Sequence, residues 1–175
     1  THFCEWSGEI EINRGEVCTI GRSCEGGKIV GIPHIRYNML LEYADYVLIE
    51  ADGSRKKPLK VPAEHEPVLV EETDFVIGVL GFSSVGKKIA DVSHRAADVA
   101  AFLHKEEHQA VTAEDLAKIS FSPQGLLKGV RCPYQIVWNR WNGQETQVRD
   151  VCPVLFCMEE KFFSTGSLKY DKIRT

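Results

Sequence analysis

The sequence predicts an α/β protein in three layers, a mostly parallel sheet flanked by helices. Two observations carry that expectation. Short apolar runs at 46–49, 75–80, 134–138 and 152–157 have the length and bulk of buried strands. Stretches with helical spacing, HRAADVAAFLH and TAEDLAKI, lie between two of them. A third observation points to function: the runs end in Glu50 and Asp52 or in Asn139, at the strand ends where open α/β sheets hold ligands.

In chain order, Val17 to Gly21 reads as a short strand, and GRSCEGGKIVGIP as a glycine-punctuated hairpin or loop. Pro33 suits the first turn of a helix, whose Ile35, Met39 and Tyr43 share one face. YVLIEAD then reads as a buried parallel strand, and GSRKKPLKVPAEHEP as a charged, proline-rich loop. After the strand DFVIGVL, Ser93 is the expected N-cap of HRAADVAAFLH. Thr112 and Asp115 have capping-box spacing ahead of TAEDLAKI, and SPQGLLKG reads as a turn. YQIVWN and CPVLFC complete the sheet.

Length and composition set the bounds. The 175 residues, 43% hydrophobic and 26% charged, fit one domain spanning 1–175 with a sizeable core. A net charge of −4 gives no electrostatic footprint for nucleic acid or anionic membrane. No apolar stretch reaches the roughly 18 residues of a membrane span, and no leader is visible. The six cysteines lack C-x-x-C or zinc-type spacing, so reduced thiols in a cytoplasmic protein are expected.

GFSSVGKK (81–88) has the G-x-x-x-x-G-K spacing of a phosphate-binding loop. Lys88 stands where Ser or Thr would meet Mg²⁺, and the next helix is expected only near Ser93. The expectation is a glycine turn with solvated Lys87 and Lys88.

ADGSRKKPLKVPAEHEP is more informative. Glu50 and Asp52 can hold Mg²⁺ directly or through water. Gly53 permits close backbone approach, and Arg55 and Lys60 belong to a basic cluster suited to phosphate or carboxylate. His65 and Glu66 are proton-shuttle candidates. The competing reading is a surface loop of mixed charge. VWNRWN ends a strand in Asn139-Arg140-Trp141-Asn142, which parallels the base-reading N-K-x-D of GTPases. Asn142 cannot match Asp as a double acceptor for guanine and suits a base with an oxygen at that edge. The alternative is a strand end with an Asn turn.

Together ADGSRKKPLKVPAEHEPVL, VIGVLGFSSVGKK, VSHR, PQGLLKG and the N-R-x-N strand end resemble the YqeC-type family of selenium-dependent molybdenum hydroxylase accessory proteins, over roughly 17–142. The resemblance implies a P-loop nucleotidase-like fold whose phosphate loop precedes Thr1-His2 and is missing from this chain. It implies that Glu50, Asp52 and Gly53 act as a Walker B segment binding Mg²⁺ with GTP or another NTP. Asn139, Arg140 and Asn142 would then contact the base. Expected partners are a molybdenum hydroxylase or its maturation factors, with a molybdopterin-type cargo. A non-catalytic module that binds that cargo or docks the hydroxylase is the rival expectation. The replacement of N-K-x-D and the short 142–152 connection depart from the pattern.

Overall fold

The computed structural model describes residues 2–6, 12–25, 28–33, 37–141, 155–158 and 161–164. The chain divides into two compact units, Thr1–Glu50 and Ala51–Thr175.

In the first unit β1 (His2–Glu5) runs parallel to β2 (Cys18–Cys24), with Cys4 opposite Ile20. β2 turns back antiparallel on β3 (Lys28–Val30), pairing Arg22 with Val30, so the glycine-punctuated segment is a hairpin. A one-turn helix, α1 (Tyr37–Leu40), buries Leu40 and leaves Tyr43 exposed, whereas the sequence spacing favoured Tyr43. Ile35 lies outside the described residues. Cys18 is disulfide-bonded, while Cys24 and Cys132 are free thiols. The expectation of reduced thiols fails at Cys18, because spacing along the chain does not report which sulfurs the fold brings together.

The largest departure is at 46–50. The expected buried strand has no regular structure, and Tyr46 and Leu48 are 88% and 92% exposed. Apolar content makes a run suitable for a strand, but a partner backbone is needed to take up its N–H and C=O groups.

The second unit is built on a four-stranded sheet in the order β4-β5-β6-β7. β4 (Val76–Gly81) and β5 (Tyr134–Asn139) are parallel, from Val76 opposite Tyr134 to Gly81 opposite Asn139. β6 (Leu155–Met158) continues in parallel, and β7 (Lys161–Ser164) closes the sheet antiparallel. Helices α2 (Ile89–Val92), α3 (Ala96–Leu103) and α4 (Ala113–Phe121) lie between β4 and β5 in sequence. Alternation along β4 and β5 turns Leu80, Ile136 and Trp138 into a core shared with Val99 and Leu103 of α3 and Leu116 and Ile119 of α4. Each such side chain contributes about 1.5–3 kcal/mol on burial. On the opposite face Ile77 and Val79 are exposed, and the expected second flanking layer is not among the described residues.

The helix starts are mixed. Thr112 and Asp115 form the expected capping box on α4, with Asp115 N–H donating to Thr112 Oγ1 at 3.2 Å. α3 begins at Ala96 with Arg95 at its N-cap in the left-handed region, so Ser93 is not the cap. Ser93 instead bridges to Leu59 and follows the extra one-turn helix α2. Among the described residues no helix is long and apolar enough to cross a membrane.

Candidate functional site

GFSSVGKK leaves the sheet as a 3₁₀ turn (Phe82–Ser84), with Lys87 and Lys88 exposed as expected. Its amides are already committed. Gly86 N–H donates to Val111 O at 2.9 Å, Lys87 N–H to Ser84 O at 3.1 Å and Ile89 N–H to Gln109 O at 3.0 Å. A phosphate loop needs those groups pointing at its ligand, so this stretch is a structural turn.

The charged loop is a different matter. Pro58 O accepts from Gly81 N–H at 2.8 Å, at the carboxyl end of β4. An added Cβ on Gly81 would lie 2.4 Å from Pro58 Cβ, so glycine is what lets the loop approach this closely. From there 59–61 runs beside 92–95: Leu59 N–H donates to Val92 O at 3.2 Å, and His94 N–H to Leu59 O at 2.8 Å. Leu59 and Val61 anchor this stretch in the core.

Lys60, between them, is only 5% exposed, which demands compensation of its charge. Its ammonium pairs with Asp52, lies 2.9 Å from Glu66 Oε2 and donates to Gly53 O at 2.7 Å. Arg95 extends the chain of charges. It pairs with Glu66, donates to Val61 O at 3.2 Å and meets Asp98 at 3.5 Å. The Arg95 guanidinium holds Glu66 well below the usual carboxylate range, assisted by Ala63 N–H and Lys60. Glu66 raises Arg95 in return. Glu66 is therefore locked in its ionised form, which removes it as a proton shuttle. His94 is pushed below its ordinary value by burial and by the positive charges of Arg95, Arg55 and Lys60.

The structure thus brings Asp52, Gly53 and Lys60 together. Asn139 is placed at the same carboxyl edge, because it pairs with the Gly81 that holds Pro58. Asn139 Oδ1 accepts from Arg140 N–H at 2.8 Å, and Arg140 is exposed in the left-handed region, so the strand does end in an Asn turn. Asn142 lies outside the described residues. Arg55 is exposed with φ 50°, and His65 is exposed on the turn at 64–65. Glu50 is the exposed last residue of the first unit.

Arg95 and His94 are the residues that sequence reasoning missed as members of the site. The available signal was Glu66: an acid inside a loop anchored by apolar residues needs a cation, and VSHR supplies one. For a divalent cation the oxygens of Asp52, Gly53 and Glu66 are of the right type, but the Lys60 ammonium occupies their centre. Among the described residues no group of three or more His, Cys, Asp or Glu side chains is placed to hold a metal.

These features define a small α/β protein with a short parallel sheet and a buried charge network at the sheet's carboxyl edge. The YqeC protein family model matches residues 3–97, and the chain belongs to that family. It is 33% identical over 127 residues to an uncharacterized protein YqeC of Escherichia coli (strain K12), covering 70% of this chain and 50% of that protein. The chain therefore spans about half the length of the curated relative it matches. No solved structure matches it.

Proposed function

We propose that the chain belongs to a nucleotide-binding accessory protein that serves the maturation of selenium-dependent molybdenum hydroxylases, on a three-layer P-loop nucleotidase-like fold. One observation carries the nucleotide part: the loop bearing Asp52 and the strand end bearing Asn139 meet the same residue, Gly81, at the carboxyl edge of a parallel sheet. Ligands of open α/β sheets bind at that edge. The selenium and molybdenum part rests on the resemblance of the ADGSR-to-HEP segment alone.

In this reading Asp52, with Glu50, holds Mg²⁺ that accompanies GTP or another NTP and neutralises phosphate charge. Asn139, Arg140 and Asn142 contact the base, while Gly53, Arg55 and Lys60 face the phosphates. Lys60 must exchange its carboxylate partners for phosphate to do so, which makes the loop at 53–66 the nucleotide-sensitive segment. His65 remains the candidate proton carrier.

The full saturation of Lys60 by Asp52, Glu66 and Gly53 supports the second reading, a non-catalytic module that carries a molybdopterin-type cargo or docks the hydroxylase. Calorimetric titration of GTP, ATP and XTP, each with Mg²⁺, into the full-length protein separates the two. Micromolar binding of one nucleotide, weakened about tenfold by Asp52→Asn, is expected for the first. No binding of any of the three removes the nucleotide reading and leaves the module.

A further inference from the structure

Glu66 fills a place that two fixed cations build for an anion. Its Oε2 takes both of them, the Lys60 ammonium at 2.9 Å and a terminal nitrogen of Arg95. Its Oε1 lies 3.4 Å from the other terminal nitrogen of the same guanidinium. An ammonium and an arginine fork converging on one anionic group is equally an arrangement that grips phosphate.

The cations are anchored more firmly than the carboxylate. Lys60 stands between Leu59, whose N–H and C=O are bonded to Val92 and His94, and buried Val61. Arg95 stands at the start of α3 and donates to Val61 O at 3.2 Å. Glu66 instead ends a short turn, 62–66, in which no residue is buried. Within that turn Ala63 N–H donates to Glu66 Oε2 at 2.9 Å, and Glu66 N–H to Ala63 O at 3.1 Å. Lys128 grips the same turn from outside, donating its ammonium to Ala63 O and, at 2.9 Å, to Glu64 O. Among the described residues Lys128 has no carboxylate partner. It belongs to PQGLLKG, which packs directly on α4: an added Cβ on Gly125 would lie 2.0 Å from Ile119 O.

We propose that Lys60 and Arg95 form a seat for a phosphate group, that Glu66 occupies it as an internal stand-in, and that Lys128 latches the turn carrying Glu66. Phosphate displaces Glu66 to solvent together with the turn 62–66, while Asp52 stays on Lys60. A phosphate group carries up to about twice the charge of the carboxylate it displaces and an extra acceptor oxygen. That phosphate belongs to a nucleotide or to free inorganic pyrophosphate. The inference rests on the nucleotide reading for the first source alone.

The test titrates inorganic pyrophosphate, without divalent cations, into the full-length protein. Glu66→Gln keeps the shape of the stand-in without its charge and is expected to bind pyrophosphate about tenfold more tightly than the parent. Adding Arg95→Gln is expected to cancel that gain. Lys128→Gln removes a positive charge, so simple attraction predicts weaker binding. The latch predicts binding about threefold tighter, because the open turn is more populated. Hydrogen exchange reads the latch without any ligand. Lys128→Gln is expected to speed exchange of the Ala63 and Glu66 amides about tenfold, leaving the Gly81 amide, bonded to Pro58 O, unchanged. Bound pyrophosphate is expected to speed the same two amides in the parent, whereas a ligand resting on the closed turn would protect them. Lys128 lies outside the core and carries the test alone should Glu66→Gln fail to fold. Equal pyrophosphate affinity in the parent and Glu66→Gln, a gain that survives Arg95→Gln, or Ala63 exchange unmoved by Lys128→Gln overturns the inference. Tighter pyrophosphate binding by Glu66→Gln, with GTP, ATP and XTP binding no better than pyrophosphate, supports the seat and removes base recognition from the nucleotide reading.

Discussion

Lys60 and Glu66 meet at 2.9 Å inside a loop that the sequence presents as a run of surface charges. The side chain of Lys60 is 6% exposed and that of Glu66 16%, so neither is free to exchange its partner for water cheaply. Lys60→Met keeps the stem and removes the charge, leaving Asp52 and Glu66 facing one another. The expected loss is about 2–4 kcal/mol in urea unfolding. Asp52→Asn should then cost less in the Lys60→Met background than in the parent chain. Equal costs in both backgrounds would show that the two side chains do not interact.

The same network sets an acid limit on stability. Glu66 has a folded value below its ordinary 4.5, so its contribution is fully present above 4.5 and is lost as pH falls through the folded value. His94 also lies below its ordinary 6.5, and the unfolded chain takes that proton first. Its effect is therefore a loss of stability as pH falls from 6.5 toward the folded value. Urea midpoints measured from pH 8 downward should decline in two stages. His94→Gln should flatten the upper stage and Glu66→Gln the lower one; a Glu66→Gln profile parallel to the parent's would contradict the ion pair.

Gly81 and Gly86 flank the phosphate-loop lookalike for different reasons. At Gly81 a Cβ meets Pro58 Cβ at 2.4 Å and its Cα at 3.0 Å, so Gly81→Ala must push the loop off the sheet edge. We expect a loss of about 1–3 kcal/mol together with weakened ligand binding. At Gly86 a Cβ meets nothing within 4 Å, but φ is +80°. Gly86→Ala should cost about 1 kcal/mol of backbone strain and leave binding unchanged. Matched thermal melts and titrations of both variants check the contrast.

What the sequence disclosed follows from which forces are local. β4, β5 and α4 were legible because side-chain alternation and the Thr112–Asp115 box act within a few residues. The start of α3 was misread because Ser93, a good cap by type, is drawn into a bridge with Leu59, far away in sequence. The run at 46–50 was misread because apolar content does not supply a pairing partner. At the site, the glycine, acid and lysine of one loop could be named in advance. Their binding to one another could not, since Arg95 enters through a contact 29 residues from Glu66. A charge cluster therefore looked like a ready-made phosphate grip, when its lysine is held by the loop's own carboxylates.

Trp138 carries the last prediction. It is fully buried in β5, stacks on Phe82 with centroids 5.8 Å apart at 30°, and donates its indole N–H to Ser120 Oγ at 3.0 Å. Ser120 is equally buried on α4, so this bond ties helix to sheet where no water can replace either partner. Ser120→Ala removes the acceptor and orphans the indole donor, at a cost of about 1–2 kcal/mol. Trp138→Phe removes the donor and opens a void, for about 2–3 kcal/mol. The informative measurement is the cycle. In the Trp138→Phe background Ser120→Ala should cost almost nothing, because the donor it would strand is already gone. An undiminished cost there would mean that Ser120 is needed for helix packing alone, and that the indole bond adds nothing to the register of α4 on the sheet.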